Sequence, residues 1–172
     1  SNQRRPPHST TVRRARDIVL GIVLAGALTA ACFAQSLPIE SLTHFPRTTL
    51  DILSHGHRNH FEIWVADTPA RQEQGLMFVR DLPTSEGMLF PQTAPQVAHF
   101  WMKNTYIPLD MVFVGEDGRV AKIIANATPF SLAVLSSDVP VIAVLEIGGS
   151  EAQRQGIQVG DRVSWKKPAA AP

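Results

Sequence analysis

The chain has 172 residues, 44% of them hydrophobic, and a formal net charge of +1, which suits one domain with a genuine core plus appendages. Five arginines and one acid precede Gln35, leaving 11 basic against 14 acidic residues beyond it, a balance near −3 with no basic stretch. A general nucleic-acid binder needs clustered Lys and Arg to displace counterions, so that class is excluded.

Residues 1–17 are basic and contain proline, and Ile18 to Leu28 form an uncharged apolar run (IVLGIVLAGAL). Thr29, Ala30, Ala31, Cys32, Phe33 and Ala34 follow, so residues 1–34 read as a signal peptide with cleavage expected after Ala34. The run is short for a membrane span, which needs ~20 apolar residues. Three alternatives stay open: an uncleaved inner-membrane anchor over 18–34, lipidation of Cys32, and a twin-arginine signal at Arg13-Arg14. The expected location is periplasmic or secreted, with membrane contact only through this segment if it is retained. Cys32 is the single cysteine, so the domain beyond it holds no disulfide, thiolate nucleophile or cysteine-based metal site.

Residues 35–46 read as a linker, residues 47–167 as a β-rich domain and residues 168–172 as a disordered tail. Thr48 to Leu53 and Phe61 to Val65 alternate apolar and polar, with His55-Gly56-His57 as the turn of a hairpin. Thr68-Pro69 marks a helix start, and the short helix ends at Gly75. Met88 to Phe90 is a short strand closed by Pro91, and Val97 to Thr105 a separate, longer one. Leu109 to Val114 and Arg119 to Ile124 flank the turn Glu116-Asp117-Gly118. Val141 to Ile147 is a central strand, and Ser150 to Gln153 has capping-box spacing before a short helix that stops at Gly156. A last strand covers Arg162 to Lys166. The fold class is mainly β: one antiparallel sandwich or partly open barrel with two short helices.

Three motifs then stand out. Arg71-x-x-x-Gly75-Leu76-Met77-x-x-Arg80, Gly87-Met88-Leu89-Phe90 and the block Phe100 to Phe113 (FWMKNTYIPLDMVF), with Leu145-Glu146 and Gly156-Ile157-x-x-Gly160-Asp161, resemble domain-of-unknown-function family 192, also called uncharacterised protein family 0127. The resemblance spans roughly Arg47 to Lys166 and implies a compact, mostly β domain, often behind a signal peptide, with no known substrate.

Candidate chemistry centres on Lys103. Read as a strand, the block places Phe100, Met102 and Asn104 on one face and Trp101, Lys103 and Thr105 on the other, a row able to stack a sugar ring or hold an anion. The structural alternative is that Lys103 neutralises Asp110 or Glu146, acids set in otherwise apolar strands. Arg71 and Arg80 flank the Gly75 bend, where they either clamp an anion or tie loop carbonyls and Glu86. His55, His57 and His60 form a His-x-His-x-x-His pattern in a polar hairpin tip and are not read as a metal site; no cofactor motif is present. His99 is a lone titrating group beside the block.

The candidate ligand-binding set is therefore Arg71, Trp101, Lys103, Asn104, Thr105, Asp110 and Glu146, for a small anionic or carbohydrate-like ligand. Two rivals accompany it: a hydrolase or lyase using Asp110, Glu146 or His99 with Lys103, and a structural envelope domain with no concavity near the block.

Overall fold

His55 and Gly56 both take left-handed backbone (φ 48° and 81°), the pair of conformations that lets a two-residue turn follow strand twist. They join β1 (Arg47–Ser54) to β2 (His57–Val65) in an antiparallel hairpin closed by Ser54 opposite His57. This and all that follows comes from a computed structural model, which describes residues 38–168. The export signal read in residues 1–34 lies outside the described residues, as does all but the first residue of the tail.

Helix α1 (Pro69–Gln74) forms where expected: Thr68 Oγ1 accepts the Arg71 N–H, Pro69 sits in the first turn and Gly75 ends it at φ 50°. The remaining elements are β3 (Glu86–Phe100), β4 (Leu109–Val114), β5 (Val120–Ala127), β6 (Leu135–Gly148), α2 (Glu151–Arg154) and β7 (Arg162–Trp165). They build one seven-stranded sheet in the order β5-β4-β6-β3-β2-β1-β7. Every pairing is antiparallel except β2 with β3, because the connection through α1 returns the chain to the end of the sheet where β2 began.

The sheet curls until its two ends approach one another. Arg119 bridges Arg162, the Val120 N–H donates to Asp161 O and the Val163 N–H to Gly118 O. Every strand contributes to one apolar cluster, including Leu50, Phe61, Leu89, Val112, Leu145 and Val163, so that cluster fills the inside of the curl. Ala152 of α2 and Ile157 plug it. The result is a half-barrel, the partly open barrel of the two expected forms.

A second cluster lies on the outer face of β3, β4 and β6. Met88, Phe90, Met111, Phe113 and Val144 are covered there by Leu76 and Met102 from the connecting segments. Both faces of β4 are thereby buried, and all six of its residues are inaccessible.

The strand expected to stop at Pro91 instead runs on as part of β3. Opposite it, β6 moves only from Ala143 to Val141 while β3 advances from Pro91 to Gln96. A bulge of this kind accepts a proline, since the ladder is already interrupted. At its far end β3 terminates at Phe100, so Trp101 to Asn104 form a turn and not the strand read from the sequence. The left-handed Asn104 (φ 55°) breaks the expected alternation of faces.

Helix α2 corrects another expectation. Ser150 adopts φ 67° and its side chain caps nothing. The capping oxygens come from Asp110 on β4: Oδ1 accepts the N–H groups of Asn126 and Ser150, and Oδ2 that of Ala152, at 2.8–3.0 Å. Gly149 permits this close approach, because a Cβ there would stand 2.8 Å from Asn126 Oδ1 and 2.9 Å from Pro108.

Candidate functional site

A cleft of about 410 Å³ opens on the outer face of the half-barrel. Its floor is β6, one wall is α1 with the bend at Gly75, and the other is the bulged stretch of β3 with the turn after it. Of the residues named from sequence, Trp101, Lys103, Thr105, Glu146 and His99 line it. Arg71, Asn104 and Asp110 do not.

Glu146 sits at the bottom. Cross-strand partners share a face, and Glu146 stands between Met88 and Met111, both in the outer cluster. It is 4% exposed; among the described residues its carboxyl takes part in no ion pair or hydrogen bond, and because no sealed side-chain oxygen there lacks a partner, its oxygens open onto the cleft. Burial without compensation disfavours the charged form and pushes its pKa up to about 8. Gly75 leaves this floor open: a Cβ there would lie 3.2 Å from the Phe90 ring and 3.9 Å from Glu146 Oε2.

The rim carries both signs of charge, Glu73 on α1 and Lys103 beyond β3. Lys103 is exposed, makes no ion pair among the described residues and holds its Nζ 5.0 Å from the centroid of the Trp101 ring, itself 46% exposed. The alternative in which Lys103 neutralises Asp110 or Glu146 is thus not what the fold builds. Thr105 is buried, and its hydroxyl donates to Lys103 O at 3.2 Å, which shapes the turn. Asn104 is half-buried; it donates to Met77 Sδ at 3.9 Å, and its carbonyl accepts the Phe78 N–H.

Three amide side chains complete the walls and were not singled out from sequence. Gln72 donates to Pro91 O at 2.8 Å, Gln92 to Phe90 O and Gln96 to Gln92 Oε1. An uncharged polar residue leaves no periodic or charge signal, so only the bulge in β3 brings these amides together.

Arg71 serves the loop instead. Its Nε and Nη2 grip both Glu40 oxygens at 3.1 and 2.8 Å, Nη1 pairs with Asp67 at 2.8 Å, and Nη2 also donates to His44 O. These bonds raise the guanidinium pKa further and hold the Glu40 carboxyl below its ordinary range. Arg80 lies over the Tyr106 ring at 4.5 Å and makes no ion pair with Glu86, which pairs with Arg47. Asp110 occupies the inner face opposite Ile147, remote from the cleft's chemistry.

The three histidines sit at the tip of the β1–β2 hairpin, His55 in its turn and His57 and His60 on β2. His55 is a turn residue, whereas His60 Nδ1 bonds Asp51 Oδ1 at 2.7 Å, which raises the pKa of the ring. Among the described residues no three His, Cys, Asp or Glu side chains are grouped to hold an ion.

The fold and cleft define a small half-barrel domain with a polar, partly buried recess on its outer surface. The chain belongs to domain-of-unknown-function family 192, described as an uncharacterised ACR, whose model matches residues 51–165. Two solved structures are similar to it. One is a protein of unknown function from Novosphingobium aromaticivorans DSM 12444, 41% identical with a TM-score of 0.71, the match covering 74% of this chain and 91% of that one. The other, from Sinorhizobium meliloti 1021, is described as a "putative transcription regulator"; it is 35% identical with a TM-score of 0.69, and the match covers 70% of this chain and 95% of that one. No curated protein matches.

Proposed function

We propose that the domain is a binding module that takes a small carbohydrate-like ligand in the outer-face cleft, in the periplasmic or secreted compartment to which residues 1–34 direct it. The observation that carries this reading is the uncompensated Glu146 carboxyl on the cleft floor. A carboxyl kept mostly protonated near neutral pH both donates and accepts, as a sugar hydroxyl does. The Gln72, Gln92 and Gln96 amides supply more such partners, and the exposed Trp101 ring offers an apolar face for stacking. Lys103 at the rim favours an acidic substituent on the ligand.

A purely structural domain requires no concavity beside the central block, and the cleft argues against it. Hydrolysis by an acid pair loses Asp110, which lies on the other face of the sheet, so an enzymatic reading rests on Glu146 as general acid with His99. A nucleic-acid partner does not suit a domain whose charge balance is near −3 with no basic stretch.

The test is a thermal-shift and calorimetric screen of neutral sugars and uronic acids against the parent, Trp101→Ala and Lys103→Ala. Stabilisation of the parent that Trp101→Ala abolishes supports binding, and a larger Lys103→Ala effect on uronic acids identifies the acidic substituent. Turnover of a screened glycoside that Glu146→Gln abolishes favours the enzymatic reading. A screen in which no sugar shifts the parent overturns the proposal.

A further inference from the structure

Beside the cleft, three loops meet at one corner of the domain. The Phe78 N–H donates to Asn104 O, the Met102 N–H to Ser131 O and the Phe130 N–H to Thr105 O. On this frame Phe78, Tyr106 and Phe130 stack edge to face at 5.9 and 5.2 Å. Phe78 and Phe130 are 42% and 55% exposed, and Leu132 and Val134, in the same loop as Phe130, are 66% and 68% exposed.

Both phenylalanines also hold left-handed backbone, at φ 66° and 62°. For a bulky side chain that conformation is strained, and it persists only when the surroundings impose it. A core residue recovers such a cost through full burial, but these rings stay about half exposed. Backbone strain combined with exposed aromatics argues that the corner is shaped for something outside the domain.

We infer that this corner is a docking surface for an anionic lipid membrane, with Phe78, Phe130, Leu132 and Val134 entering the headgroup boundary. The chemistry on the corner selects that occupant. Tyr106 is the amphipathic ring type enriched at membrane interfaces, and aromatics with aliphatics on one face suit shallow insertion. Arg80, over Tyr106, is an exposed cation without a carboxylate partner among the described residues, so it remains available to lipid phosphates.

The domain can be tested without its leader. The solved relatives are 91–95% covered by matches spanning 70–74% of this chain, so the fold stands alone in them. The probe is co-sedimentation of a chain beginning at Gln35 with vesicles of phosphatidylcholine, with and without about one-third phosphatidylglycerol. Phe78→Asn with Phe130→Asn is the central variant, because Asn accepts left-handed backbone and the cleft lining is untouched. The parent is expected to bind the anionic vesicles and the double variant at least about tenfold more weakly, with a melting temperature equal to the parent's or higher. Arg80→Glu is expected to weaken binding to anionic vesicles only. No vesicle binding by the parent, or equal binding by the double variant, overturns the inference. So does a fall in its melting temperature, which would make the rings structural. Self-association at this corner in place of lipid binding would assign it to a second copy.

Discussion

Asp110 and Glu146 lie one residue out of register on adjacent strands, and that single offset puts their carboxyls on opposite faces of one sheet. Asp110 faces inward and is saturated by three backbone N–H groups. Glu146 faces outward into a cleft with nothing to neutralise it. Two acids that look alike in sequence thus do different work: one organises the fold, and the other is left for an external partner.

For Asp110 the consequence is a loss of stability. Asp110→Ala leaves the N–H groups of Asn126, Ser150 and Ala152 without their acceptor, and that of Ala152 is buried. Unmade bonds of this kind cost ~1–3 kcal/mol each where water cannot reach, so a total loss of ~2–4 kcal/mol is expected in urea unfolding. Asp110→Asn is expected to lose less, since Oδ1 still accepts two of the three.

Glu146 makes stability depend on pH in the unusual direction. Its pKa rises on folding from 4.5 to about 8, so the folded state holds the proton more tightly. The neutral acid favours the fold fully below pH 4.5; the advantage is lost as pH rises towards 8 and is absent above it. Relative to Glu146→Gln, the parent is expected to lose up to about 5 kcal/mol across that interval. Paired unfolding curves at several pH values measure the difference, and a flat one is the contrary result.

Arg71→Ala is expected to release the segment ahead of β1 while sparing the cleft. Its guanidinium is the common partner of Glu40, Asp67 and His44 O. Hydrogen exchange should accelerate over residues 38–45, and the melting temperature should fall by ~3–6 °C. Unchanged sugar binding in this variant would separate it from the ligand-contacting set.

Trp101→Ala and Lys103→Ala are expected to behave oppositely to Asp110→Ala. Both side chains are exposed, so unfolding free energies should stay within ~0.5 kcal/mol of the parent. Isothermal titration should show sugar affinity falling at least about tenfold for Trp101→Ala, by the worth of a stacked ring.

Much of this was legible in the residues themselves. Period-two alternation located β1 and β2, His55-Gly56 gave their turn, and Thr68-Pro69 with Gly75 bounded α1. Those signals are local, and so are the forces behind them. Pro91 misled because its effect depends on whether the ladder is already broken, which β6 decides from fifty residues away. The strand expected over Val97 to Thr105 is too long because the left-handed Asn104 turns the chain where sequence alternation continues, although Trp101 and Lys103 still face the cleft. Ser150 had the spacing of a cap, but Asp110 brings its oxygens to the helix start from another strand. The faces of Asp110 and Glu146 follow from a register that no local pattern encodes.

The most direct measurement is a carbon-13 titration of the Glu146 side-chain carboxyl in the folded domain. An apparent pKa near 8 is the expected result, marking an acid buried on the cleft floor without a neutralising partner. A value at or below the ordinary 4.5 would mean that a cation or a set of donors already satisfies it, and the cleft would lose the group on which its proposed function rests.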